Sequence, residues 1–281
     1  MIIEKTVSGL QQKLHEMRAE KLEIGFVPTM GALHQGHISL VERAKNENNK
    51  VVVSIFVNPT QFNNPDDLAK YPRMPEKDFE MLKNEGVDLI FFPDEMEMYP
   101  NGKSGKNDFD FGNLEKVMEG KFRPGHFKGV GQVVSRLFEI VDADNAYFGE
   151  KDFQQLTVIR ELVRQKKFRV HIKGCPTVRE PDGLAMSSRN LLLTTEMRAE
   201  ATKISQALFD VRDHRNTESV SSLKEDAIRL IESTGKLKVE YLEVADEQTL
   251  EPVDELIATK KYRCLTAVQS GNIRLIDNVQ L

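Results

Sequence analysis

Glu23-Ile-Gly-Phe-Val27 runs straight into Pro28-Thr-Met-Gly-Ala-Leu-His-Gln-Gly-His37, and the next apolar run is Lys50-Val-Val-Val-Ser-Ile-Phe-Val57. The first five residues read as a short strand, and a helical pattern covers about 36–48 before the second strand starts. The second strand, and Val87-Asp-Leu-Ile-Phe-Phe92 after it, are nearly continuous in apolar residues, as expected of strands covered on both faces. Ala143-Asp-Asn-Ala-Tyr-Phe148 and Arg169-Val-His-Ile-Lys173 read as further strands, with helical stretches at about 75–85, 129–141 and 153–167 between them. In the last stretch Phe153, Leu156, Ile159, Leu162 and Val163 fall on one face. Strand–helix alternation implies right-handed crossovers, and hence a Rossmann-like, doubly wound, mostly parallel α/β sheet.

The pattern changes after about Pro176. Met197, Ala201, Ile204, Leu208 and Val211 make an amphipathic helix, and a second helix covers about 219–233. Strands follow at Val239–Ala245, Tyr262–Val268 and Asn272–Asp277, with Ser270-Gly271-Asn272 as a hairpin turn. The expected organisation is therefore a front domain over 1–176 and a smaller C-terminal α+β domain over 177–281, with the boundary between roughly 174 and 190.

Composition removes several classes. The 281 residues carry 39 Lys+Arg against 44 Asp+Glu, a net charge of −5, which argues against a general nucleic-acid or anionic-membrane binder. Cys175 and Cys264 stand in no zinc or C-x-x-C spacing, so neither a disulfide scaffold nor a thiolate metal site is expected. No apolar stretch approaches the roughly 20 residues that span a bilayer, and no signal core opens the chain, so the expected location is cytoplasmic.

Ligands of open α/β sheets bind beyond the carboxyl ends of the strands. The residues least explained by packing sit there: Met30 to His37 after the first strand, Asn58-Pro-Thr-Gln61 after the second, Gly149-Glu-Lys-Asp152 after the fourth, and Met186-Ser-Ser-Arg189 beyond the fifth. A helix starting near Gly36 offers N–H groups and its positive dipole end to an anion, and His34 and His37 share a face. Ser187, Ser188 and Arg189 have the chemistry of a phosphate clamp, although Ser-Ser-Arg-Asn serves equally as a helix cap and turn. Lys151 can neutralise phosphate, and Asp152-Phe-Gln-Gln155 also matches a capping box with Asp152 as N-cap. Gly129-Val-Gly131 lacks the third Gly of a dinucleotide fingerprint, and neither a Walker loop nor an acidic metal cluster occurs.

Taken together, Pro28–His37, Phe56-Val-Asn-Pro-Thr-Gln-Phe62, Tyr71-Pro-Arg73, Arg123-Pro-Gly-His-Phe-Lys-Gly-Val130, Gly149–Gln155 and Met186-Ser-Ser-Arg-Asn190 closely resemble the pantothenate synthetase (pantoate–β-alanine ligase) family. That family lies in the nucleotidyltransferase superfamily with a His-x-Gly-His motif. The resemblance implies that ATP with Mg²⁺ and (R)-pantoate give pantoyl adenylate and pyrophosphate. β-Alanine then takes the acyl group, releasing AMP and yielding pantothenate for coenzyme A biosynthesis. It implies catalytic roles for His37, His34, Lys151, Ser187, Ser188 and Arg189. It also implies ATP contacts from Met30, Gly31, Ala32, Leu33, Gln35, Gly36, Gly149, Glu150, Asp152, Val178 and Met186, besides those phosphate-directed groups. Gln61, Gln155, Val133 and Val134 would bind pantoate, with Gln61 also touching β-alanine. Gly131-Gln132 departs from the family, where many members have a bulky residue and Thr. A homodimer with the C-terminal domain as a lid, and Mg²⁺ carried on the triphosphate without a protein cage, complete the expectation. The rivals are a nucleotidyltransferase acting on a phosphorylated substrate and a non-catalytic nucleotide sensor.

Overall fold

The computed structural model describes residues 1–103 and 109–281. Two compact units emerge. One comprises Met1–Phe111, Arg123–Glu150 and Gln155–Pro176; the other comprises Gly112–Phe122, Lys151–Gln154 and Thr177–Leu281.

The chain runs β1 (Ile2–Glu4), α1 (Val7–Ala19), β2 (Ile24–Thr29), α2 (Gln35–Glu47), β3 (Lys50–Ile55), α3 (Pro65–Lys70), α4 (Pro75–Asn84), β4 (Leu89–Phe91), α5 (Glu95–Met98), α6 (Met118–Phe122), α7 (His126–Val141), β5 (Asn145–Gly149), α8 (Phe153–Lys166) and β6 (His171–Cys175). The first unit's sheet has the order β1-β4-β3-β2-β5-β6 with every neighbour parallel. Successive side chains of a strand point to opposite faces. Thus β2 sends Val27 to a cluster with Ile38, Val41 and Ala44 of α2, while Phe26 packs edge-on to Phe138 of α7 at 6.5 Å. Each of these is fully buried or nearly so, a burial that contributes about 1.5–3 kcal/mol per large apolar side chain.

The strand order reverses at β2: one branch proceeds through β3 to β4, the other through β5 to β6. In doubly wound sheets the crevice for a ligand opens at that reversal. The carboxyl ends of β2 and β5, at Thr29 and Gly149, flank it. Topology therefore singles out the same two turns that the residue types did.

In the second unit α9 (Thr195–His214) and α10 (Val220–Glu232) pack on the antiparallel sheet of β7 (Leu237–Asp246), β8 (Tyr262–Ser270) and β9 (Ile273–Gln280). Ile204, Leu208 and Val211 of α9 and Leu223 and Ile231 of α10 form one core with Val244, Cys264 and Val268. The segment 112–122 belongs to this unit for a chemical reason. Glu119, 6% exposed, receives Arg274 at 2.8 and 2.6 Å and the Tyr241 hydroxyl at 2.9 Å. Such charge-assisted bonds are roughly twice as strong as neutral ones.

Candidate active site

At the tip of β2 the chain passes through two consecutive left-handed residues, Gly31 (φ +77°) and Ala32 (φ +50°). For Ala that conformation costs roughly 1–2 kcal/mol. A buried carboxylate offsets it. Asp78, in the first turn of α4 and 1% exposed, accepts from Ala32 N at 2.9 Å and Leu33 N at 2.7 Å. Burial raises its carboxyl pKa above the ordinary 3.8, opposed by those two N–H groups and by Lys77. The Thr29 hydroxyl accepts from Gly31 N at 3.2 Å. Nothing in the sequence marked Asp78, which stands in a run of ordinary helix charges.

The turn delivers His34 as the N-cap of α2. Its Nδ1 accepts from Gly36 N at 3.1 Å, and Nδ1 of His37 accepts from His34 N at 3.3 Å, a reciprocal capping box built from imidazoles. The rings lie 4.1 Å apart between centroids. The expected shared face is thus present, with one difference: the Gly36 N–H expected to meet an anion already satisfies His34. Because each Nδ1 accepts, each neutral ring carries its proton on Nε2. The first turn of α2 has exchanged a backbone donor for two imidazole donors.

Met30, half-buried, reaches Gln61, whose Nε2 lies 3.1 Å from Met30 Sδ. Gln61 closes the 3₁₀ turn Pro59–Gln61 and is tied to Asn58 at 3.1 Å. Its carbonyl meets His126 Nδ1 at 2.8 Å and Arg123 at 3.4 Å, which explains the Arg123–His126 motif. Helix α7 comes so close to this turn that a Cβ on Gly129 would meet Thr60 O at 2.3 Å. Val133 and Val134, on the same helix, are 6% and 5% exposed. The departure at Gly131 now has a cause. A side chain there would meet the stacked rings of Phe109 and Phe111 at 2.7–2.9 Å, so these aromatics occupy the volume a bulky residue would fill. Gln132 bonds Lys103 O at 2.7 Å, and Gln155 lies half-buried on α8. Gly149 and Glu150 sit at the end of β5.

In the second unit Lys151 and Asp152 lie in the 3₁₀ turn Glu150–Asp152, which leads directly into α8. Asp152 ends that turn directly before α8, and its carboxylate lies 3.8 Å from Lys151 Nζ. Asn278 Nδ2 fixes the Lys151 carbonyl at 2.8 Å. Val178 C=O accepts from Met186 N at 3.0 Å, closing the base of the 178–186 turn. Beyond it Ser187 caps the 3₁₀ turn Ser188–Leu192 through Arg189 N at 3.3 Å, so the cap reading of this segment is realised. Arg179 anchors the base: it forks onto Asp277 of β9 at 2.7 and 3.0 Å, with Asp277 only 3% exposed. No sequence signal paired these residues, 98 positions apart. Among the described residues no group of three His, Cys, Asp or Glu is placed to hold a metal ion.

A parallel sheet whose reversal point carries a helix capped by two imidazoles places this chain among doubly wound α/β proteins with a ligand crevice at the tip of β2. Comparison with known proteins narrows the class. A model of the pantoate-beta-alanine ligase family matches residues 2–280. A pantothenate synthetase of Bacteroides fragilis is 50% identical over 278 residues, covering 98% of this chain and 97% of that protein. A pantothenate synthetase crystal structure from Thermus thermophilus superposes with a TM-score of 0.93 at 43% identity, covering 99% of each chain. A pantoate-beta-alanine ligase of Francisella tularensis, crystallised with β-γ ATP and β-alanine, matches with a TM-score of 0.83 at 37% identity over 99% of this chain and 97% of that one. The chain belongs to the pantoate-beta-alanine ligase family and is an enzyme.

Proposed function

We propose that this chain joins (R)-pantoate to β-alanine through a pantoyl-adenylate, consuming ATP and releasing pyrophosphate and AMP. The observation that carries the reading is the imidazole capping box at the sheet's reversal point, with ring centroids 4.1 Å apart. Two Nε2–H donors in fixed positions stabilise charge that grows on the triphosphate as the pantoate carboxylate attacks the α-phosphorus. Adenylation is needed because a carboxylate is a poor acyl donor; with AMP as leaving group, the β-alanine amine attacks the carbonyl directly. No covalent enzyme intermediate is required, and positioning does most of the work.

Met30 to His37, Gly149, Glu150, Asp152, Val178 and Met186 contact ATP, while Lys151, Ser187, Ser188 and Arg189 bind its phosphates. Gln61 and Gln155 hold the oxygens of pantoate, and Val133 and Val134 pack against its dimethyl group. Mg²⁺ would arrive with the triphosphate and neutralise part of its charge without a dedicated protein cage. The protein works in the cytoplasm as a homodimer whose C-terminal unit acts as a lid; among the described residues, no helix is long and apolar enough to cross a membrane.

The test is product analysis. Exchange of labelled pyrophosphate into ATP should require pantoate but not β-alanine, and net AMP release should require both. Exchange that ignores pantoate would refute the reading.

A further inference from the structure

Between the tip of β3 and α7 lies a hydrogen-bond chain whose direction the backbone dictates. Asn58 is 1% exposed. One atom of its amide lies 3.4 Å from Thr60 N, and the other 3.3 Å from Gly129 O. A backbone N–H can only donate and a carbonyl only accept, so the first atom is Oδ1 and the second Nδ2. Two consequences follow. The Tyr99 hydroxyl, 2.7 Å from Oδ1, must donate to it. Nδ2 donates to Gln61 at 3.1 Å, so that atom of Gln61 is Oε1. The other end of Gln61 is Nε2, which donates one N–H to Met30 Sδ at 3.1 Å.

Tyr99 makes the shortest of these bonds to Asn58; the others run from 3.1 to 3.4 Å. It is held independently, as the C-cap of α5, with its ring 6.1 Å from Phe56. Burial pushes its phenol up to about 12, which keeps it a donor at neutral pH.

We propose that Tyr99 is a positioning residue: it adds the shortest bond to an Asn58 amide whose orientation the backbone sets, and through Asn58 restrains the Gln61 amide with Nε2 on the Met30 side. That end of the acid site thereby selects an acceptor oxygen of a 2-hydroxy acid. The proposal rests on the reading of Gln61 as a pantoate ligand. A reversed or wandering amide would point lone pairs at an anion and leave a polar pair unmatched, which weakens binding of the acid and leaves ATP untouched.

Tyr99→Phe removes one oxygen and little else. In pyrophosphate exchange it should raise KM for pantoate about tenfold, with kcat and KM for ATP within about twofold of wild type. Asn58→Asp places an acceptor against Oε1, turning the Gln61 amide over, and should raise the same KM further. An unchanged KM for pantoate in Tyr99→Phe would overturn the proposal. So would a joint rise in KM for both substrates with a lower Tm, which marks a packing role. Wild-type exchange without pantoate would instead refute the functional reading. The positioning claim would then be read from the side-chain ¹⁵N–¹H signals of Gln61, which should shift or split in Tyr99→Phe and overturn it if they stay put.

Discussion

The two turns assigned to phosphate chemistry are built to opposite standards. Residues 29–34 are tightly committed: Ala32 and Leu33 are 1% and 4% exposed and give their N–H groups to Asp78, Gly31 N donates to Thr29, and the imidazoles of His34 and His37 are committed at Nδ1. Residues 178–192 are fastened at the base by Arg179 and Asp277, while Leu191 and Leu192 stand 62% and 42% exposed and the buried Asn190 Oδ1 has no partner. The difference teaches a division of labour. The first turn is strained and has its backbone donors committed, whereas the second is fastened by ion pairs and caps and leaves its 191–192 tip in solvent.

The largest effect should come from the root. Arg179→Ala leaves Asp277 as an unpaired buried carboxylate and should cost about 3–5 kcal/mol in the second unit, read by chemical denaturation. Burial already raises the Asp277 carboxyl, with Arg179 pulling it down. A raised carboxyl is costly when ionised and relieved by a proton, so the variant's deficit should shrink as pH falls and grow as it rises. A deficit independent of pH would mean that lost packing, not charge, is responsible.

Next comes His37→Ala, expected to slow adenylate formation by about 10²–10³ with the fold intact by circular dichroism. Unchanged exchange would remove His37 from the chemistry.

Asp78→Asn keeps the shape but offers one acceptor where two N–H groups wait, and should cost about 1–3 kcal/mol in kcat/KM for exchange. It also sharpens the comparison through pH. Since burial raises the Asp78 carboxyl, acidification through its titration stabilises the fold at this group while removing an acceptor from the turn. Activity should therefore fall on the acid side before the protein unfolds, and that acid limb should be absent in the variant.

The smallest effect is Ser187→Ala. Losing a cap on a short turn costs about 0.5–2 kcal/mol, and in this turn it should appear as a few-fold rise in KM for ATP, with Tm hardly moved.

Much of this was legible in the residues, for identifiable reasons. The apolar runs of β3 and β4 announce a doubly covered sheet, and the α9 stripe announces its own core. β1 and α1 gave no signal, because three residues cannot show a period and α1 buries only Leu10 and Leu14. Helix α7 starts at His126 rather than about 129, since the motif Arg123–His126 looks like a turn yet includes the helix's first residue. The imidazole pair was visible as spacing, but its tautomers were not, because these depend on which backbone N–H each ring caps. Asp78, Tyr99 and the Arg179–Asp277 fork escaped because their partners are distant in sequence and their residue types are ordinary.

The 29–37 turn fixes both imidazoles as Nε2–H donors before any nucleotide arrives. Nitrogen-15 spectra of imidazole-labelled protein, assigned with His34→Ala and His37→Ala and recorded with and without ATP·Mg²⁺ at neutral pH, measure this directly. The expected result is an unprotonated Nδ1 and a protonated Nε2 on both rings, unchanged in tautomer when nucleotide is added. A proton on Nδ1 of either ring, or a mixture that resolves only with ATP, would contradict it.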